Sequence, residues 1–431
     1  MAVTPTSTAS GVEQAASEVI STLGPGLISG AADDDPSGIA TYSQAGAQFG
    51  LGLLWTVPVQ LPMMIAVQSI AARVGCVTGK GLAANLGRVA PRWLVLVLVM
   101  LLLLANVINI AADIAAMGSA GTLLLPGVNE HLFVIAFAGL SLLLQLFLPY
   151  ERYVNVLKWL TAALLAYVAV VFAVKIDWAE VALRTLVPRF ELNRASLMMI
   201  VALFGTTISP YLFFWQSSQE VEDIEADDER RALRHEKPRA ARDQIKRIGA
   251  DTIVGMAFSQ LIAFFVILTA AVTLNAHGVD HVQTAAQAAQ ALRPIAGPFA
   301  SVIFSLGIIG TGLLAVPVLA GSAAYAMAEV RGWEHGLSRK VLEAKEFYAI
   351  IAFAMLGGIA LSFSPIEPIK ALFYSAVING VAAVPILTVT IIVASRKDIM
   401  GGFVATPMQK LFGWLATAFM ALAAAAMPFG G

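Results

Sequence analysis

The chain has 431 residues, 58% of them apolar and only 13% charged, with a mean hydropathy of +0.79. Soluble domains carry about 25% charged residues, so this composition excludes a soluble globular protein and describes an all-α polytopic membrane protein. The net charge of −1 says little about partners, and the lone Cys76 excludes a disulfide framework and any Cys-rich metal centre.

Residues 1–22 contain no Lys or Arg, so they lack the positive n-region of a signal peptide. Rich in Ser, Thr and Ala, they are expected to form a disordered cytoplasmic N-terminus. Beyond them, long apolar runs recur, each near the roughly 20 residues needed to cross a bilayer. They predict eleven spans, at 24–48, 51–72, 93–119, 131–149, 154–174, 196–218, 249–274, 297–329, 347–364, 368–394 and 411–427. With the start taken as cytoplasmic, 21 of the 27 basic residues belong to the connections after even-numbered spans. Positive charge accumulates on the cytoplasmic side, so the N-terminus is expected inside, in a bacterial plasma membrane. The largest polar segment, 219–248, reads as one charged cytoplasmic loop, and 23–430 as a single membrane domain.

Two of the spans are interrupted. The first contains Asp33-Asp34-Asp35-Pro36-Ser37-Gly38, and the sixth contains Gly205-Thr206-Thr207-Ile208-Ser209-Pro210-Tyr211. Paired interruptions in two halves of a membrane protein point to a transport site at mid-depth. Breaks in spans one and six suggest a repeat of five plus five, about 24–174 and 196–394, with an extra helix at about 411–427. An odd number of spans per unit inverts the second relative to the first.

Ionisable residues in a hydrocarbon layer are costly and mark function by default. Asp35-Pro36 alone could merely start a helix, since Asp is a favoured N-cap and Pro a favoured first residue. That explains one carboxylate and not three. Asp33 and Asp34 would stand at the negative end of the preceding half-helix, where the macrodipole disfavours anions. A cation is therefore expected at Asp35, with the Thr206 carbonyl and the hydroxyls of Ser37, Thr207 or Ser209 as neutral oxygens. Neither broken segment offers Cys, His or Met, and hard oxygen donors suit magnesium, calcium and manganese. Magnesium sheds its waters reluctantly and keeps part of its shell. Ser37, Gly38 and Ser209 are small enough to leave room for it.

Residues 24–86 carry Gly24-Pro25-Gly26, Asp35-Pro36, Ala40-Thr41, Gln44-Ala45-Gly46-Ala47-Gln48-Phe49-Gly50, Leu53-Leu54-Trp55, Gln68-Ser69 and Val77-Thr78-Gly79-Lys80. This run resembles the first two helices of the natural resistance-associated macrophage protein (NRAMP) family of divalent metal transporters. Weaker matches continue at Asp113, across 205–217, at Ala320-Gly321 and at Met400-Gly401, so the resemblance covers nearly the whole chain. It implies the leucine-transporter-like inverted-repeat fold and transport of a divalent cation by alternating access.

The family's first-helix motif is Asp-Pro-Gly-Asn, whose Asp and Asn bind metal. Here it is Asp35-Pro36-Ser37-Gly38, so the acid is kept and Gly38 stands in the amide's place. The sixth-helix motif, Ala-x-x-Met-Pro-His, becomes Thr206-Thr207-Ile208-Ser209-Pro210-Tyr211, which keeps a carbonyl and loses the sulfur at Ser209. Family acids of span three fall on Asn106 and Ala116 and leave only Asp113. The two sixth-helix histidines fall on Tyr211 and Gln216, which cannot relay protons near neutral pH as His can. The pattern is similar to the NRAMP-related magnesium transporters, and it favours Mg2+ over Mn2+ with weak or no proton coupling. The other reading is a proton-coupled manganese or iron transporter of the usual family type.

Asn379 in span ten aligns loosely with a family helix that lends an amide to the ion, although packing against a neighbouring helix is the commoner explanation of a buried Asn. Gln44 faces either the cavity or a neighbour, while Thr311 and Ser322 mark close helix packing. An intramembrane prenyltransferase built on Asp33-Asp34-Asp35 and Asp223 to Asp227 is a remote alternative, because the first motif lacks the spaced third Asp and the second lies in a basic loop. The expected partners are the lipid bilayer and the transported Mg2+ or Mn2+, with no nucleic acid, no obligate protein partner and no resident cofactor. No enzymatic activity is expected.

Overall fold

A computed structural model describes residues 25–147, 162–189, 191, 193–226, 231–236 and 238–427; among these no β-strand occurs. The expected N-terminal tail, the first part of span five and part of the 219–248 segment lie outside the described residues. The first span is two half-helices, α1 (Pro25–Asp33) and α2 (Pro36–Phe49). There follow α3 (Thr56–Thr78), α4 (Arg92–Leu124), α5 (Glu130–Phe147) and α6 (Leu165–Ala173). The sixth span is likewise divided, into α7 (Arg194–Thr207) and α8 (Pro210–Glu225). The chain continues through α9 (Pro238–Thr273), α10 (Ala300–Arg331), α11 (Lys345–Ser362), α12 (Pro368–Ser395) and α13 (Pro407–Ala426). Helix therefore carries the backbone through much of the charged 219–248 segment, where Arg247 of α9 reaches Glu220 and Asp223 of α8 at 3.9 and 3.7 Å.

Among the described residues nine helical stretches are long and apolar enough to cross a membrane, the α7–α8 pair counted as one. The first span, which carries Asp33, Asp34 and Asp35 together in its short length, is not among them. The fifth is described only from Ala162 onward.

Packing follows a pseudo-two-fold plan. The broken first span lies along α9 of the second repeat, and the broken sixth span lies on α3 of the first. The third helices of each repeat, α4 and α10, pack on one another. This is the inverted-repeat architecture expected from the two breaks.

Glycine allows the close approaches. A methyl group on Gly30 of α1 would stand 2.3 Å from the Gly255 carbonyl oxygen of α9, and one on Gly75 of α3 would stand 2.2 Å from the Ser217 carbonyl oxygen of α8. Between helices in lipid, small residues that let backbones touch replace the hydrophobic drive available in water. Each contact joins the broken span of one repeat to the second helix of the other.

Candidate metal-ion site

Both breaks follow from local chemistry. Asp35 adopts an extended N-cap conformation, φ −66° and ψ 169°, and its Oδ1 accepts the Gly38 amide at 2.6 Å, while Pro36 opens α2. The N-cap role considered from the sequence is thus real, and it occupies only one carboxylate oxygen. At the sixth span, Ser209 precedes Pro210 at the start of α8, and its hydroxyl turns back onto the Gly205 and Thr206 carbonyls of α7 at 2.5 and 2.9 Å. These are among the orphan acceptors that any helix C-terminus leaves. The Thr207 hydroxyl donates back to the Leu203 carbonyl one turn earlier in its own helix, at 2.9 Å.

The two breaks meet. Ser37 Oγ stands 3.4 Å from Thr206 Oγ1. A methyl on Gly38 would lie 3.2 Å from the Asp33 carbonyl oxygen, 3.3 Å from Thr206 Oγ1 and 3.3 Å from the Tyr42 ring. The Tyr211 hydroxyl of α8 donates to the Ala32 carbonyl at 3.1 Å, so the sixth span satisfies a carbonyl exposed by the break in the first. Tyr211 thus ties the sixth span to the first.

The carboxylates divide into two groups. Asp35 Oδ2 accepts the Asn109 amide of α4 at 3.0 Å. Asp113, one turn further along α4, has no hydrogen-bond partner on either carboxylate oxygen within ordinary limits. Asp33 and Asp34 turn the other way, onto α9, where the Ser259 hydroxyl lies 2.5 Å from Asp33 Oδ2 and 3.1 Å from Asp34 Oδ1. All four acids are at most 2% exposed. Among the described residues none forms an ion pair with Lys, Arg or His. Burying charge without a partner is costly, so four acids placed in this way could accept positive charge.

Among the described residues no three His, Cys, Asp or Glu side chains converge into a ready-made metal cage. The candidate donors instead lie on several helices and are mixed in type: a carboxylate at Asp35, hydroxyls at Ser37 and Thr206, and the amide of Asn379 on α12. Asn379 is 1% exposed with no partner for either amide atom. Its helix packs on α7 where a Gly205 methyl would stand 2.0 Å from the Ala376 carbonyl oxygen. Gly38 contributes its amide to Asp35 and the space beside it.

Other positions have more ordinary employment. Gln216 donates to Thr252 at 3.0 Å, and Asn106 holds α4 to α10 through the Leu319 carbonyl at 2.8 Å and Ser322 at 2.9 Å. Thr311 lies in a helix whose Gly312 approaches both Met117 of α4 and Pro36, consistent with the packing role expected of it. Gln44 both binds a neighbour and faces a cavity: its Oε1 accepts the Val282 amide at 2.8 Å, and its side chain lines a cavity of about 340 Å³ with Gln48, Met198 and His281. That cavity reaches Ala40, five residues and roughly 7 Å of helix rise beyond Asp35.

Two residues of this neighbourhood were not singled out by the sequence reading, Asn109 and Ser259. Asn109 had a local signal, because it sits four positions before Asp113 and shares its helix face. Ser259 had none, since only the crossing of α1 and α9 brings it to the acids.

A model of the natural resistance-associated macrophage protein-like family matches residues 26–429. Among the chain's relatives is the divalent metal cation transporter MntH of Deinococcus radiodurans, 27% identical over 91% of this chain and 86% of that protein. Another is MntH of Verminephrobacter eiseniae, 29% identical over 70% of this chain and 67% of the relative. The fold resembles that of the Eremococcus coleocola manganese transporter, with a TM-score of 0.71, 17% identity and coverage of 94% and 86% of the two chains. It also resembles Mhp1, a nucleobase-cation-symport-1 family transporter, with a TM-score of 0.54, 12% identity and coverage of 94% and 92%. The relatives are named as transporters and not as enzymes, which removes the prenyltransferase alternative. The chain is a multi-pass membrane protein of the natural resistance-associated macrophage protein-like (Nramp) family.

Proposed function

We propose that this protein is a secondary transporter that moves a divalent metal cation across the membrane by alternating access, with Asp35 as its principal charged ligand. The observation that carries this reading is the meeting of the two broken helices at a buried carboxylate that no basic residue neutralises. Ser37, Thr206 and Asn379 supply neutral oxygens around it, and Asp33, Asp34 and Asp113 add negative field. The names of the MntH relatives support the class of cargo.

Within that class we favour magnesium, carried with part of its water shell. The side chains lining the two breaks offer only oxygen, and such donors suit hard ions. Magnesium retains waters and needs few direct protein ligands, which suits a site where Gly38 and Ser209 are small. Proton coupling is weak or absent in this reading, because Tyr211 and Gln216 stand where a titrating pair would be needed and both are engaged in neutral hydrogen bonds. The membrane is the bacterial plasma membrane with the N-terminus inside, and the single chain suffices for transport.

Manganese as cargo is favoured by one observation. Met117 lies one turn beyond Asp113 on α4, and a methyl on Gly312 would stand 2.4 Å from its sulfur and 3.3 Å from Pro36 Cγ. A thioether is therefore near the break, although not within either broken segment. Uptake into proteoliposomes with magnesium, manganese, calcium and cadmium in competition separates the two. Magnesium transport that cadmium barely inhibits supports the oxygen site; strong cadmium inhibition with no magnesium flux supports manganese and a sulfur contact.

A further inference from the structure

We infer that Asn109 is a ligand of the transported ion, directly or through one retained water, and that with Asp113 it forms a half-site on α4 facing the broken first span. The inference rests on the reading of Asp35 as the cation ligand and deepens it.

Three observations combine. Asn109 Nδ2 lies 3.0 Å from Asp35 Oδ2, and a carboxylate oxygen accepts only a donor, so the amide orientation is determined by chemistry. The opposite atom, Asn109 Oδ1, is therefore a carbonyl oxygen, and it has no partner in the protein although the residue is 0% exposed. Asp113, at the same depth of burial and one helical turn away on the same face, makes no hydrogen bond of ordinary geometry through either carboxylate oxygen, although the Ser37 amide at the start of α2 is directed towards it. Buried polar atoms are almost always hydrogen-bonded, and those that are not call for an explanation. Three such oxygens on one face of a helix, beside a carboxylate that lacks a basic counter-charge, form a hard donor set of the kind that holds a divalent cation.

The position of α4 gives the half-site a consequence. This helix packs along α10 and belongs to the part of the molecule outside the two broken spans. An ion held by Asp35 on one side and by Asn109 and Asp113 on the other ties the first span to α4. Its arrival changes the energy of their relative movement, as alternating access requires of a cargo.

The test is divalent-ion binding to the purified full-length protein, measured by titration calorimetry with Mg2+ and with Mn2+, together with the metal-induced rise in Tm. Asn109→Ala removes both the donor to Asp35 and the free oxygen, and is expected to weaken binding at least about tenfold. Asn109→Asp removes the donor but keeps an oxygen and adds charge. A ligand role predicts that it binds at least as tightly as wild type and shows the larger thermal shift. If Asn109→Asp is as weak as Asn109→Ala, Asn109 only positions Asp35 and the inference is overturned. Wild-type affinity in Asn109→Ala overturns it as well. If Asn109→Ala does not purify as a monodisperse protein, the comparison of Asn109→Asp with wild type decides alone. Wild-type affinity in Asp35→Ala would instead remove the underlying reading, so the two failures are distinguishable.

Discussion

Ser37 and Thr206 face one another across the two helix breaks, with their hydroxyl oxygens 3.4 Å apart. The pair belongs to different repeats, 169 positions apart in sequence, so the contact exists only because both helices are interrupted at the same depth. Gly38 lies beside it, and the contacts of a methyl there would be 3.2 and 3.3 Å, tight but not prohibitive.

That geometry gives the first prediction. Gly38→Asn combined with Ser209→Met adds an amide and a thioether to the site and removes the hydroxyl that now caps the Gly205 and Thr206 carbonyls. The double variant is expected to shift the ratio of manganese to magnesium uptake towards manganese by about tenfold or more, a difference of about 1.4 kcal/mol. An unchanged ratio would mean that the hard-donor account of selectivity is wrong.

Gly30→Ala tests the closeness of α1 to α9. The added methyl would meet the Gly255 carbonyl at 2.3 Å, and overpacking of this kind costs about 1–3 kcal/mol. The expected result is a lower Tm and reduced uptake, because the half-helix cannot seat in this conformation. A variant with wild-type Tm and wild-type rate would show that α1 does not lie as close to α9 as described.

Tyr211→Phe separates a structural hydroxyl from a proton relay. The change leaves the Ala32 carbonyl without its donor, at a cost of about 1–3 kcal/mol. Uptake is expected to slow while the ion preference stays the same. In the wild type, a pH dye inside the liposomes should register no stoichiometric acidification during uptake. One proton entering per metal ion would contradict weak coupling.

The breaks were legible in the sequence because Asp35-Pro36 and Ser209-Pro210 each place a favoured helix start inside an apolar span, and because two such starts occur five spans apart. The separation of Asp35 from Asp33 and Asp34 was legible in part, through the N-cap preference of Asp before Pro. Their seat on Ser259 was not, because it depends on how α1 crosses α9. The clamp from Asn109 was legible only as a shared face with Asp113, since which helix that face meets is not known until the packing is. Ser209 was expected to offer its oxygen to the ion. The structure adds a second task, its one hydroxyl hydrogen shared between two carbonyls left by the break, which leaves the oxygen lone pairs free and was visible only once the backbone path is drawn.

The central claim is that a divalent cation binds at Asp35 where the two breaks meet. Magnesium and manganese uptake into proteoliposomes by wild type and by Asp35→Ala, with equal protein incorporation, tests it most directly. The account predicts flux of at least one of these ions in the wild type and none above empty liposomes in the variant; undiminished flux in Asp35→Ala would contradict it.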